Sequence, residues 1–170
     1  HNIRIDVINV GGGLGIDYAH PNRVSIPDFK AYFECYARHL KLRPYQHLHF
    51  ELGRAVVGQC GTLIARTLYV KQGAHKQFVI VDAGMTYLIR PALYQAYHKI
   101  ENISSEAPLA TYDVVGPICE SSDVFAKSID INSAHRGDFI AIRSAGAYGE
   151  AMASHYNCRQ LPKGYISEEL

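Results

Sequence analysis

The stretch Gly11-Gly12-Gly13-Leu14-Gly15 follows an apolar run over residues 3–10 and precedes a predicted helix. Consecutive glycines after a strand expose backbone N–H groups that no side chain covers, and such turns bind anions, phosphate above all. The stretch does not match the dinucleotide pattern G-x-G-x-x-G, because Ile16 stands where the last glycine is required. By itself it is equally compatible with a tight turn after a buried strand.

A strand–helix–strand unit surrounds this turn. The apolar run predicts a strand buried on both faces, of the kind found in parallel sheets and barrels. The segment Ser25–Asp28 resembles a helix start, and apolar and aromatic residues then recur at helical spacing until the helix ends before Pro44. A second strand is predicted at His47–Glu51, with the turn Gly53-Arg54 at its carboxyl end. Ligands of such units lie at the carboxyl ends of strands, so the two turns are expected to converge on one site.

From about residue 58 the pattern changes to β-branched runs that are separated by turns. The predicted strands are Thr62–Lys71, Gln77–Asp82, Tyr112–Gly116 and Phe139–Arg143. Short helices are predicted near Pro91–His98 and Tyr148–Tyr156, and turns near 71–76 and 135–138. We therefore expect an α/β segment over residues 1–58 and an antiparallel β-sandwich or barrel over residues 59–170.

The composition argues against several classes of partner. The 170 residues carry 17 Lys and Arg against 16 Asp and Glu, a net charge of +1, with no basic run, so binding to nucleic acid or to a membrane surface is not expected. No apolar run approaches the ~18 residues of a spanning helix. The four cysteines lack zinc-ligand spacing, which predicts no metal site, and their wide separation favours reduced thiols in the cytoplasm. Because the chain opens on His1 and enters a strand almost at once, we expect it to be a piece of a longer protein.

Four further motifs carry chemically useful side chains, and each also has a purely structural interpretation. Glu51-Leu-Gly-Arg54 is compatible with a surface ion pair, and Arg90-Pro-Ala-Leu-Tyr94 with a helix start and a packed tyrosine. The loop Cys119-Glu120 is compatible with a buried, inert thiol. The small-residue run that ends in Tyr148 is compatible with a helix packed tightly on a sheet. The order and spacing of the motifs are more specific than any one of them.

With its motifs in this order, the chain resembles the diaminopimelate decarboxylases, which belong to the alanine-racemase-like group of pyridoxal-phosphate enzymes. The motifs that carry the resemblance are Gly11-Gly-Gly-Leu-Gly15, Glu51-Leu-Gly-Arg54, Val81-Asp-Ala-Gly-Met85, Arg90-Pro-Ala-Leu-Tyr94, Gly116-Pro-Ile-Cys-Glu120, Gly146-Ala-Tyr148 and Ser154-His-Tyr-Asn157. The resemblance covers essentially the whole chain. It implies the last part of a TIM-type β/α barrel that binds pyridoxal 5'-phosphate, followed by a β domain, and it places the lysine that bonds the cofactor upstream of His1.

The resemblance also implies a role for each cofactor-binding residue. Backbone N–H groups of Gly12 and Gly13, and the turn Gly53-Arg54, would bind the cofactor phosphate. Glu51 would meet the pyridine nitrogen, where a carboxylate keeps the ring protonated and therefore effective as an electron sink. Tyr148 would form another wall of the cofactor site.

For the substrate, the resemblance implies recognition of both charged ends of meso-diaminopimelate. The substrate-binding residues would be Arg54, Arg90, Tyr94, Glu120 and Tyr148. The arginines suit a carboxylate distant from the reacting carbon, and Glu120 suits the distant ammonium group. Cys119 would be the catalytic proton donor after carbon dioxide leaves. Since the Cys-Glu loop of this family reaches the neighbouring subunit's site, a homodimer is implied.

One departure and three alternatives accompany this interpretation. Leu52 stands where the family usually has proline, which leaves that turn less rigid. The first alternative is a related decarboxylase for another basic amino acid, although Glu120 favours diaminopimelate over ornithine. The second is a non-catalytic binding or dimerisation fragment, because none of the lysines present has the family's strand-end context. The third is an unrelated β/α plus β protein whose motifs match by accident.

Overall fold

The computed structural model describes residues 3–24 and 26–169, and Ser25, where the predicted helix start opens, lies outside them. The strands are β1 (Val7–Asn9), β2 (His47–His49), β3 (Leu63–Gln72), β4 (Gln77–Val81), β5 (Ile100–Asn102), β6 (Leu109–Val115), β7 (Val124–Asn132) and β8 (Phe139–Ile142). The helices are α1 (Phe29–His39), α2 (Gly53–Val57) and α3 (Arg90–Tyr94), with 3-10 turns at Glu150–Met152, Tyr156–Cys158 and Ser167–Glu169.

Helix α1 forms as the sequence predicts. Its N-cap is Asp28, whose carboxylate accepts a hydrogen bond of 2.8 Å from the Ala31 N–H and so satisfies one of the free donors of the first turn. One face of the helix is aromatic and lies against Phe50, with ring centroids 4.9 Å away for Phe33 and 5.1 Å for Tyr36. These edge-on contacts fix α1 beside the end of β2.

Strands β1 and β2 pair in parallel, with Val7 opposite His47 and Asn9 opposite His49. The prediction that residues 3–10 are buried on both faces is wrong, because Ile3 and Ile5 are 79% and 56% exposed. The physical reason is that a two-stranded sheet covered by one helix leaves its other face and its edges open to solvent.

The second sheet contains six strands in the order β5-β8-β3-β4-β6-β7. Its neighbours are antiparallel except for β4 and β6, which pair in parallel. The side chains of Val79, Val81, Val114, Ile140 and Ile142 are fully enclosed at its centre. Mostly antiparallel sheet after a short α/β segment is the fold class that the sequence predicts.

Several elements of this half differ from the prediction. Strands β5 and β7 were not predicted, and β7 is irregular, since Ser128 has a φ of 51° and the β6 register shifts beside it. The helix predicted near Tyr148–Tyr156 is replaced by 3-10 turns, because Tyr148 and Asn157 adopt left-handed φ angles that interrupt a helix. Within the described part of the chain, no helix has the length and hydropathy to cross a membrane.

Candidate functional site

The glycine turn, the segment around α2 and one tyrosine line a cavity of about 260 Å³. The lining residues are Gly12, Gly13, Leu14, Glu51, Leu52, Arg54, Ala55 and Tyr148. The structure therefore brings together the cofactor-binding residues that the sequence proposes, with Gly53 next to them at the start of α2. The two strand ends converge as the β/α reading expects.

Backbone geometry explains why this turn is made of glycines. Gly11 and Gly13 have φ angles of +70° and +99°, which residues other than glycine rarely adopt. A Cβ on Gly12 would lie 2.5 Å from the carbonyl oxygen of Glu51, so a side chain is excluded there by contact. The hydroxyl of Tyr32 on α1 donates to the Gly12 carbonyl at 2.9 Å. The turn is thus fixed by contacts with Glu51, which follows β2, and with Tyr32 on α1.

Glu51 is anchored by its backbone and by its side chain. Its N–H donates to the Gly11 carbonyl at 2.8 Å, which extends the β1–β2 pairing beyond the strands. The Asn9 side-chain amide donates to Glu51 Oε1 at 2.6 Å, and Asn9 Oδ1 accepts from the Gly11 N–H at 2.7 Å. Asn9 therefore touches both turns that line the cavity.

Arg54 brings a cation to the cavity wall. Its Nε is buried and has no hydrogen-bond partner among the residues that the structure describes. A buried guanidinium N–H without an acceptor is costly, so an acceptor is expected at this point when the site is in use.

Arg90 is buried behind the cavity, only 8% exposed, and it borders the wall through Tyr148. Its Nη1 donates to the Tyr18 hydroxyl at 2.8 Å and lies 3.2 Å from His98 Nε2. The guanidinium also stacks on the Tyr148 ring, 5.6 Å from the centroid. In this arrangement Arg90 positions Tyr148 as well as carrying charge.

His98 orients Arg90 as a neutral imidazole. Its Nδ1 donates to the Arg143 carbonyl at 2.9 Å, which leaves the Nε2 lone pair to accept from Arg90. Burial lowers the pKa of His98 below 6.5, and the Arg90 charge lowers it further, against the opposing effect of the Arg143 carbonyl.

The remaining predicted residues lie outside the cavity lining. Tyr94 is 62% exposed at the end of α3. Cys119 and Glu120 are exposed on the loop before β7, where the Cys119 N–H donates to Asn157 Oδ1 at 3.5 Å. The Tyr156 hydroxyl donates to Glu120 Oε1, and this hydrogen bond raises the pKa of Tyr156 above 10.

A buried carboxylate shapes the Cys119 loop from inside. Asp123, only 3% exposed, accepts from the N–H groups of Ile118 at 2.7 Å and Met85 at 2.6 Å. A Cβ on Gly116 would clash with the same carboxylate, so glycine is needed there. Burial raises the pKa of Asp123, and the two backbone donors oppose that rise. The loop is therefore ordered although Cys119 itself faces solvent.

The sequence model of the family described as "Pyridoxal-dependent decarboxylase, C-terminal sheet domain" matches residues 14–146. The chain belongs to this family. A diaminopimelate decarboxylase of Bacteroides thetaiotaomicron is 75% identical over 168 residues, which are 99% of this chain and 44% of that relative. The chain thus spans less than half the length of this curated relative. Membership of the pyridoxal-dependent decarboxylase family confirms the resemblance seen in the motifs.

Solved structures show the same similarity. The diaminopimelate decarboxylase of M. jannaschii aligns with a TM-score of 0.80 and 33% identity, over 94% of this chain and 37% of that one. The enzyme of Helicobacter pylori, complexed with L-lysine, aligns with a TM-score of 0.74 and 40% identity, over 92% and 38% of the two chains.

Pyridoxal phosphate, which the family description implies, fits the residues present. The glycine turn leaves no side chain between its amides and the cavity, and the unpartnered Nε of Arg54 supplies a further donor for an anion. Glu51, on the same wall, supplies an acceptor for a protonated ring nitrogen. An anion-binding end and an end that accepts a hydrogen bond from the protonated ring nitrogen match the chemistry of the cofactor.

Sequence reasoning missed several residues that support the site: Asn9, Tyr18, Tyr32 and His98. Tyr32 was assigned to the apolar face of α1, and its hydroxyl contact is visible only in three dimensions. For Asn9 a signal existed, since Asn two residues before a turn glycine often accepts from that glycine's N–H. His98 carried no local signal, because its partners Arg90 and Arg143 come from α3 and the end of β8.

The neutral His98 predicts a pH dependence of stability. The unfolded chain binds a proton on this residue near 6.5, whereas the folded chain binds it only at lower pH. The free energy of unfolding should therefore fall as pH drops below 6.5, and a His98→Gln variant should show a shallower fall in denaturant titrations at several pH values. Equal slopes in the parent and the His98 variant would contradict the assignment.

Proposed function

We propose that the protein containing this chain converts meso-2,6-diaminopimelate to L-lysine and carbon dioxide, using pyridoxal 5'-phosphate. The observation that carries the proposal is the convergence of the glycine amides, Glu51, Arg54 and Tyr148 on one cavity. The names of the relatives, and the L-lysine complex of the Helicobacter pylori structure, support this substrate and product.

The residues of the cavity would hold the cofactor at both of its ends. When bound, pyridoxal phosphate supplies a ring that accepts the electron pair left on the α-carbon as carbon dioxide departs. Backbone N–H groups of Gly12 and Gly13, together with the turn at Gly53-Arg54, bind the phosphate. Glu51 accepts a hydrogen bond from the protonated ring nitrogen and so keeps the ring cationic.

The substrate is then recognised by charge. Arg54 and Arg90 attract its distant carboxylate, and Glu120 attracts the distant ammonium group. Tyr94 and Tyr148 add hydroxyl groups at the edge of the site. Cys119 donates the proton that replaces carbon dioxide on the α-carbon.

We infer that two copies of the chain share each site. Cys119 and Glu120 are exposed and lie outside the lining of the cavity in their own chain, while the buried Asp123 keeps their loop ordered. An ordered, exposed loop that carries catalytic groups is suited to insertion into a neighbour's cavity. The proposal is therefore a homodimer with shared active sites.

Two further features of the proposal concern organisation and compartment. The two separate sheets support a division near residue 58 into a barrel segment and a β domain. The four cysteines, Cys35, Cys60, Cys119 and Cys158, are all unpaired and exposed, which supports a reducing compartment such as the cytoplasm.

A substrate panel on the intact protein loaded with pyridoxal phosphate tests the function. We expect release of carbon dioxide and formation of L-lysine from meso-diaminopimelate, but no turnover of ornithine or arginine. Turnover of another basic amino acid without turnover of diaminopimelate would favour the related-decarboxylase alternative.

A Cys119→Ala change should lower kcat by about 10²- to 10⁴-fold, the usual contribution of a positioned proton donor. The exposed thiol of Cys35 on α1 provides the matched control, and Cys35→Ala should leave kcat unchanged.

Mixed dimers test the shared site. One subunit carries Cys119→Ala, which removes the proton donor. The other subunit carries Arg54→Ala, which removes a binding residue from its cavity. If each site takes Cys119 from one chain and Arg54 from the other, co-refolding the two inactive variants should restore part of the activity, because one site of each mixed dimer is intact. Continued inactivity of a verified mixed dimer would mean that Cys119 serves the cavity of its own chain, or none.

A further inference from the structure

The side chain of Asn9 bridges the two turns that form the proposed cofactor site. It lies at the end of β1, opposite His49 of β2, and backbone hydrogen bonds flank it on the side of the cavity. The Val10 N–H donates to the His49 carbonyl at 3.1 Å, and the Glu51 N–H donates to the Gly11 carbonyl at 2.8 Å. This ladder fixes the Asn9 backbone relative to both turns.

The two hydrogen bonds of the Asn9 side chain determine its orientation. The Gly11 N–H can only donate, so the atom that faces it at 2.7 Å must be the amide oxygen Oδ1. The amide nitrogen Nδ2 therefore faces Glu51 Oε1 at 2.6 Å, as a neutral donor to an acidic acceptor. Only a side chain with both an acceptor and a donor satisfies the two partners at once.

We propose that Asn9 is a positioning residue for the cofactor, an inference that rests on the proposed function. By donating to Oε1 of Glu51, it fixes the orientation of that carboxylate and leaves Oε2 as the oxygen that can accept from the ring nitrogen. By accepting from Gly11, it holds the turn whose neighbouring amides bind the phosphate. One side chain thus sets the separation between the ring-binding and phosphate-binding ends of the site.

Two substitutions separate these contacts. Asn9→Ala removes both hydrogen bonds. Asn9→Asp keeps the shape and the acceptor for Gly11 but replaces the donor to Glu51 with a second carboxylate. Two carboxylates at this distance bind a first proton as a pair and share it. The hydrogen bond between position 9 and Glu51 therefore forms again only after the pair has taken up that proton.

Gln46 provides a matched control. Its side-chain amide also bridges two segments next to β1, donating to the Ile5 carbonyl at 3.0 Å and accepting from the Arg43 N–H at 3.0 Å. It does not line the cavity. Gln46→Ala therefore removes a comparable pair of structural hydrogen bonds without touching Glu51 or the glycine turn.

The experiment measures the Kd of pyridoxal phosphate and the absorbance spectrum of the bound cofactor for the intact protein, at several pH values. We expect Asn9→Ala to weaken binding by about 10- to 100-fold, in line with loss of a hydrogen bond to a charged group. The Asn9→Asp variant should bind pyridoxal phosphate weakly at high pH and more tightly as pH falls. Its plot of Kd against pH should therefore show an ionisation that the parent's plot lacks. Gln46→Ala should keep the parent Kd and spectrum.

Other outcomes separate the inference from the function on which it rests. If Asn9→Asp keeps the parent's Kd, spectrum and pH profile, the contact with Glu51 has no positioning role and the inference is overturned while the function stands. If the parent protein itself binds no pyridoxal phosphate, the proposed function fails and the inference fails with it. Because Asn9→Asp preserves side-chain shape, its pH profile remains measurable even if Asn9→Ala does not fold.

Discussion

The hydrogen bond from the Glu51 N–H to the Gly11 carbonyl is the contact on which the candidate site depends. It continues the parallel pairing of β1 and β2 past the strand ends, so both turns leave the sheet at the same edge. Gly12 lies so close to Glu51 that a side chain could not be accommodated there. A donor-rich turn and a carboxylate consequently share one wall, which is the arrangement that a phosphate-bearing, protonated ring requires.

The part of the chain that forms the six-stranded sheet contributes to the site in two different ways. From within the same chain, Arg90 supports Tyr148 at the cavity wall and is itself oriented by the neutral His98. The Cys119 loop instead faces solvent, although the buried Asp123 fixes its conformation. An ordered loop with exposed functional groups is suited to completing the site of a second copy of the chain. This links the fold to the proposed dimer.

Much of the site was predictable because its motifs depend on local rules. Glycines at positive φ and an Asx N-cap at Asp28 leave clear traces in sequence. The supporting contacts were not predictable, since Tyr32 and His98 reach partners on other elements. Strand β7 escaped detection because its irregularity at Ser128 breaks the alternation that identifies a strand. Burial of residues 3–10 was overestimated because their sequence is apolar, whereas the sheet that the described residues form there has two strands.

A crystal structure of the intact protein with pyridoxal phosphate bound would show whether this wall holds both ends of the cofactor. We expect the phosphate to lie against the amides of Gly12 and Gly13, and a carboxylate oxygen of Glu51 to lie at a hydrogen-bond distance of about 2.6–3.0 Å from the pyridine nitrogen. A cofactor bound elsewhere, or bound with its ring nitrogen turned away from Glu51, would disprove this arrangement.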